Sequence, residues 1–198
     1  MKKFLLLCFI CICNLLAAQE GEMLLLSGKV KKFKSVDGSG FKIAYRTLEK
    51  NKLRSIAFER VFSLRYPDGT EKVVYQKDPY DSLDFTVDQM RMFIKGEQDA
   101  DKYYHNNVNK VLATIMGVGS GYFAIYGIIG PPLYSTIMGN FSPKVKPNKV
   151  SDPQLISIPE YREGYERKCR DKKITQGLLF GFGGFLAGIT TFAIMSNN

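Results

Sequence analysis

The sequence predicts an α+β membrane protein: a small five-stranded β-barrel followed by a two-helix transmembrane hairpin. Three observations predict that class. Between Met23 and Gln76, apolar and polar residues alternate with period two and the alternation breaks at turn residues. Two long segments, Val111 to Pro143 and Ile174 to Asn198, carry no charge. Within those segments, small residues recur every three or four positions. The net charge of +9 arises from two basic regions, one before residue 80 and one between Ser142 and Lys173, so the 198-residue chain is segmented.

The first element is a leader. Lys2 and Lys3 precede an uncharged run from Phe4 to Leu16 that ends in Ala17 and Ala18. A charged start, a short apolar run and small residues describe a secretory signal peptide, and the run is short of the ~20 residues that cross a bilayer. Residues 1–18 are therefore expected to be removed, the alternative being retention as an anchor. Cys8, Cys11 and Cys13 would leave with them, which strands Cys169 and excludes an intramolecular disulfide framework.

The barrel is expected over residues 19–77. MLLLSGKVKKFK, FKIAYRT, LRSIAF, VFSLRY and EKVVYQ read as five short strands. Phe41, Ile43 and Tyr45 share one face, as do Phe62, Leu64 and Tyr66, and Asp68-Gly69 is a hairpin signal. About 55 residues give a marginal core, and closing a small sheet removes its exposed edges.

Residues 78–110 are expected to form an acidic linker and an amphipathic stretch interrupted at Gly96. Asp78, Asp81 and Asp84 lack the glycine and terminal glutamate of a calcium loop, so they read as a solvated linker. Tyr103, Tyr104 and Lys110 suit an approach to a membrane interface. A first transmembrane helix is expected within residues 111–138, broken at Pro131-Pro132 because proline removes a helix donor and clashes with the preceding turn. Residues 139–173 then form a basic loop and a charged helix candidate, ISIPEYREGYERKCRDKK. The second span covers residues 174–195, with a short tail over 196–198.

Gly177, Gly181, Gly184 and Gly188 line one side of a helix, and Ala113, Gly117, Gly121 and Ala124 repeat the pattern in the first span. In lipid, apolar helices gain nothing hydrophobic by meeting, and small residues promote association by letting backbones approach. These eight residues are the expected helix-packing set. Between Gly139 and Ile174 the chain carries nine lysines and arginines, against four in the twenty residues before Val111. The positive-inside rule then puts loop 139–173 in the cytoplasm and the N-terminal domain in the periplasm, anchored in a bacterial inner membrane.

The strand pattern SGKV…FKIAYR…IAFERVFSLRYPDGTEKV, the GEQDADKYY segment before one Gly-rich span and PEYREGYERKCRDKK before the other resemble a group of Bacteroidota envelope proteins. The resemblance implies a small periplasmic barrel on a two-helix anchor, and brings no assigned activity or functional residue.

No catalytic, cofactor or metal site is predicted. His105 is the sole histidine, which excludes His-pair metal sites and HExxH hydrolases. GVGSG at Gly117 to Gly121 lies within an apolar span, and GSGYFAIYG has no phosphate-loop lysine. Lys29, Lys31, Lys32 and Lys34 could contact nucleic acid in a cytosolic protein, but behind a signal peptide they read as a solvated face or a contact with acidic envelope polymers or lipid head groups. The expected partners are membrane lipid, an envelope protein and further copies of the chain, with no nucleic acid. The expected function is a membrane-anchored interaction or assembly protein; the alternatives are an oligomeric pore of Gly-faced helices and an enzyme or transporter accessory subunit.

Overall fold

A computed structural model describes residues 20–39, 41–141 and 143–196. The expected leader, and Asn197 and Asn198 of the tail, lie outside the described residues. The chain divides into one unit ending at Val87 and another beginning at Asp88.

The first unit is an antiparallel sheet of six strands: β1 (Gly21–Leu25), β2 (Val30–Ser39), β3 (Lys42–Thr47), β4 (Leu53–Ala57), β5 (Val61–Arg65) and β6 (Glu71–Val73). Their order is β4-β3-β2-β1-β5-β6, with β4 and β6 as edges, so the sheet is open and the expected closed five-stranded barrel is corrected. The sixth strand comes from the run read as a single strand from Met23 to Lys34. Gly28 takes a left-handed φ of 72°, and its N–H donates to the Leu25 carbonyl at 3.0 Å, which turns β1 back into β2. The residues between the first two expected strands lie largely in β2 as well, where Val36 pairs with Tyr45 and Asp37 with Ala44.

The sheet curls without closing its ladder. Only the 3₁₀ turn Phe58–Arg60 carries the chain from β4 to β5, although three strands separate the two in the sheet order. Four interstrand steps of ~4.8 Å exceed the ~13 Å that such a connection can reach, so the sheet must bend toward itself. The bend wraps Met23, Phe33, Ile43, Tyr45, Ile56, Val61 and Leu64 into one core. Closure would need β6 to reach β4, and β6 has only three residues, whose partners are on β5. Phe41, expected beside Ile43 and Tyr45, is exposed. Phe62 is fully buried and stands 6.0 Å from the Tyr75 ring.

The second unit is helical: α1 (Val87–Tyr103), α2 (Asn107–Gly121), α3 (Gly130–Gly139) and α4 (Pro159–Ser196). α1 runs unbroken through Gly96, where an interruption was expected. The charged segment and the second span, expected as separate elements, form the single 38-residue helix α4. The first apolar segment departs furthest from expectation. α2 stops at Gly121, a 3₁₀ turn follows over Ala124–Ile129, and α3 begins at Gly130. Pro131 and Pro132 occupy the first turn of α3, where a missing N–H costs nothing, so they start a helix rather than break one. The two-helix transmembrane hairpin is corrected accordingly: among the described residues one helix, α4, is long and apolar enough to cross a membrane, with a mean hydropathy of 1.9 over its apolar window.

Candidate functional site

α4 is the spine of the helical unit, and every other helix docks on it. Its first fifteen residues, Pro159 to Lys173, are rich in charge, and the remainder carries none. α1 runs parallel to the charged part, with Phe93 against Gly164 and Asp101 within 3.8 Å of both Lys168 and Lys172. α2 then runs parallel to the apolar part. Asn109 Nδ2 donates to the Lys173 carbonyl at 3.2 Å, and Gly121 lies beside Phe185, Gly188 and Ile189. α3 returns antiparallel, with Pro131 beside Gly181, Ser135 beside Gly177 and Gly139 beside Ile174. Lys173 Nζ donates to the Phe141 carbonyl, and Tyr134 Oη donates to Asn109 Oδ1 at 3.1 Å. The segment from Asn107 to Phe141 therefore begins and ends at the level of Lys173.

The small residues lie where the backbones approach. A Cβ on Gly121 would stand 2.6 Å from the Phe185 carbonyl oxygen, and one on Gly181 would stand 2.9 Å from Pro131 Cβ. At Gly117 it would overlap the Gly181 carbonyl, at Gly184 that of Thr114 and at Gly188 that of Val118. A Cβ on Gly177 would reach Ser135 Oγ at 2.7 Å, and Ala113 is buried at the α2 face. Ala124 is the exception. It sits exposed at the start of the 3₁₀ turn with a left-handed φ of 49°, because α2 ends three residues earlier. Gly183 and Gly119, also helical, have open space around them.

A second close approach lies in the charged half, and it is not legible from spacing. Cβ atoms on Gly96 and Gly164 would overlap the carbonyls of Tyr161 and Phe93. Both glycines stand alone within charged sequence, so the only signal was a helix-disfavouring residue inside an otherwise helical pattern.

Around them is a polar interior. Asp99, 3% exposed, accepts from Tyr161 Oη at 2.6 Å, from Ser151 N at 3.0 Å and from Ser151 Oγ, and pairs with Lys95 at 3.3 Å. Burial alone would raise its pKa; the Ser151 and Tyr161 hydrogen bonds outweigh that and hold the carboxyl below the usual carboxylate range. These bonds tie the stretch between α3 and α4 to α1. Glu97, two residues earlier, is 4% exposed, and its Oε2 has no hydrogen-bond partner among the described residues. Burial pushes its pKa up against the pull of Arg167 and Lys168. Cys169 packs with Ala100, Tyr104 and Tyr165, and burial pushes its thiol up to about 12, which leaves it unreactive at neutral pH.

The apolar half has an inverted polarity. Its interior is mostly glycine, alanine and serine, joined by Pro131, Tyr134 and Phe185, while Ile115, Phe123, Leu133, Leu179 and Leu186 are more than half exposed. Only 22% of the apolar window of α4 is buried, against the near-complete burial of a helix in a soluble core. Large apolar side chains outside and small ones inside suit a lipid solvent.

The aspartates of the linker shape turns. Asp84 accepts from Tyr75 Oη at 2.8 Å and from the Asp78 N–H at 2.8 Å, while Asp81 accepts from the Leu83 N–H at 2.9 Å. His105 is exposed in the break between α1 and α2. Comparison with protein-family models, with curated proteins and with solved structures finds no match to this chain.

Proposed function

We propose that the protein is a membrane-anchored interaction or assembly protein of the bacterial envelope, with the apolar part of the helical unit in the bilayer and the sheet unit presented to a partner. The inverted polarity of the α2, α3 and α4 apolar zone carries this reading. Thirty-three uncharged residues, Val111 to Pro143, would otherwise expose their bulk to water. Thr114, Ser120, Thr190 and Thr191 give their hydroxyls to carbonyls of their own helices, which favours an anchor over a pore.

The return of α3 changes the topology that the sequence suggested. From Asn107 to Phe141 the chain enters and leaves the bilayer on one side, as a re-entrant hairpin buried against α4, and α4 alone crosses. The hairpin's tip is the 3₁₀ turn Ala124–Ile129, in which Gly127 is buried against Ser120 and Phe185 while the large apolar side chains of Ile125, Ile128 and Ile129 face outward. An export signal then puts the sheet unit, residues 143–158 and the charged half of α4 in the periplasm, with Ser196 in the cytoplasm. The positive-inside rule opposes this for the loop. Much of its charge is engaged within the folded unit: Lys168 and Lys172 face Asp101, and the Arg167 guanidinium lies 5.5 Å from the centre of the Phe93 ring.

Single cysteines at Lys50, Lys146 and Ser196, in a Cys169→Ala background, test the arrangement in intact cells with a membrane-impermeant maleimide. Labelling of the first two and protection of the third is expected. Protection of Lys146→Cys with labelling of Ser196→Cys would restore two crossings. Affinity purification of the detergent-solubilised chain from its host tests the partner; recovery of the bare chain alone would defeat the interaction reading.

A further inference from the structure

The sheet unit carries a cleft of ≈ 480 Å³, within the size range of small-ligand sites, at the end of β2, β3 and β4. Lys31, Lys32, Lys50, Lys52 and Arg54 line it, against the single carboxylate of Glu49. Among the described residues, Lys32 pairs with Glu22 at 3.8 Å, while Lys31, Lys50, Lys52 and Arg54 make no ion pair. Four uncompensated cations around one concavity repel one another, and a bound anion relieves that repulsion.

The cleft is held by backbone and not only by mobile side chains. Thr47 N–H donates to the Lys52 carbonyl at 3.1 Å, and Lys52 N–H returns a bond to Thr47 Oγ1 at 3.1 Å. That pair of bonds closes the β3–β4 turn and fixes the stems of Lys50 and Lys52 on one rim. Asn51 completes the turn with a left-handed φ of 48°, a conformation asparagine tolerates. Arg54 is set opposite Tyr45 by the strand register. Lys31 Nζ donates to the buried Tyr45 hydroxyl at 3.2 Å, which positions its charge at the floor.

We infer that this cleft binds a compact polyanion bearing phosphate groups, which deepens the partner-binding reading of the sheet unit and rests on it. Lysine presents a point charge with three donors and suits phosphate oxygens, whereas planar carboxylates are met best by the arginine fork. Lysines dominate here. The phosphate can belong to a soluble molecule or to a lipid headgroup, and Val30 and Leu48, exposed on the wall, offer apolar contact to the latter.

The test uses the full chain in nonionic detergent with tripolyphosphate, followed by calorimetry, and the chain in phosphatidylcholine nanodiscs with phosphatidylglycerol vesicles, followed by co-flotation. The cleft variant is Lys50→Gln/Lys52→Gln/Arg54→Gln; the control, Lys34→Gln/Lys42→Gln/Lys72→Gln, removes equal charge elsewhere on the sheet unit. Loss of about tenfold or more in tripolyphosphate affinity in the cleft variant, with less than about threefold in the control, is expected for charge-assisted bonds at a defined site. Cleft-dependent vesicle binding without tripolyphosphate binding also supports the site and assigns its ligand to a lipid headgroup. Equal losses in both variants would reduce the cleft to diffuse charge and overturn it. So would failure to bind either probe, and a protein partner recovered from the host would then leave the interaction reading standing without this ligand.

Discussion

The two units bury opposite kinds of side chain. In the sheet unit, Phe33, Met23 and Ile43 are inside while lysines occupy the surface. In the apolar part of the helical unit, Gly117, Gly184 and Gly188 are inside while Leu179, Leu186 and Phe123 are outside. The lipid surroundings proposed for the second account for the difference. Water drives large apolar groups inward in proportion to area removed from it. Lipid exerts no such drive, and close backbone approach decides the packing instead. The charged half of α4 is a third case, a helix pair held by two glycine contacts, an apolar cluster around Cys169 and a buried polar network.

The sharpest break in this comparison comes from shortening a large side chain in each unit. Phe33→Ala should cost the sheet unit about 3–5 kcal/mol, the scale for truncating a fully buried phenylalanine. Leu186→Ala, on the exposed arc of α4, should cost the helical unit less than about 1 kcal/mol, since it leaves no cavity. Thermal unfolding of the full chain, followed by limited proteolysis of each unit, measures both. A large loss for Leu186→Ala would mean that this arc is packed.

Enlarging small residues should have the reverse pattern. Gly184→Leu drives a side chain into the Thr114 carbonyl and should weaken α2–α4 docking by about 1–3 kcal/mol, the usual scale for overpacking. Gly183→Leu, one residue away with open space around it, should be neutral or slightly stabilising, since glycine in a helix costs about 1 kcal/mol against alanine. Crosslinking of Tyr122→Cys to Phe192→Cys, whose rings stand 6.2 Å apart at the end of the same contact, in the Cys169→Ala background reports the docking. Equal tolerance at 183 and 184 would reduce the stripe to ordinary membrane composition.

A smaller contrast separates two carboxylates of α1. Asp99→Ala leaves the Tyr161 hydroxyl and Ser151 without their acceptor and should cost about 1–3 kcal/mol. Glu97→Gln removes a buried charge with an unpartnered oxygen and should be neutral or stabilising at pH 7. Their pH signatures oppose each other. Asp99 is lowered in the folded state, so its stabilisation is present above the unfolded value near 4 and fades as pH falls below it. Glu97 is raised, so its contribution is present below its unfolded value, also near 4, and is lost as pH rises through the folded one. Acid titration of the unfolding midpoint should be flatter than wild type in Asp99→Ala below about pH 4, and flatter in Glu97→Gln above it. A wild-type acid profile retained in Asp99→Ala would remove the network as the tie between α1 and the stretch after α3.

Much of this organisation is local and was readable. Alternation in FKIAYRT and VFSLRY marks strands because the pleat has period two, and uncharged runs mark apolar zones whatever their path. The four-three-four spacing of Gly177, Gly181, Gly184 and Gly188 sets one helix face because residues three and four apart lie together on a helix. Gly96 and Gly164 were not readable: each is a single glycine whose partner is the Tyr161 or Phe93 carbonyl on another helix.

The sequence by itself determined where the chain is charged, where it is apolar, and which face of α4 is small. Only the tertiary structure decided that the sheet stays open and that residues 107–141 begin and end at the level of Lys173. The reason is range. A side-chain period is fixed by the geometry of one helix or strand, whereas the choice between crossing a bilayer and re-entering it depends on whether α2 and α3, each short of a ~30 Å hydrocarbon core at 1.5 Å per residue, find a backbone groove to share. That groove belongs to α4, between 35 residues (Gly139 to Ile174) and 70 residues (Thr114 to Gly184) further along the chain.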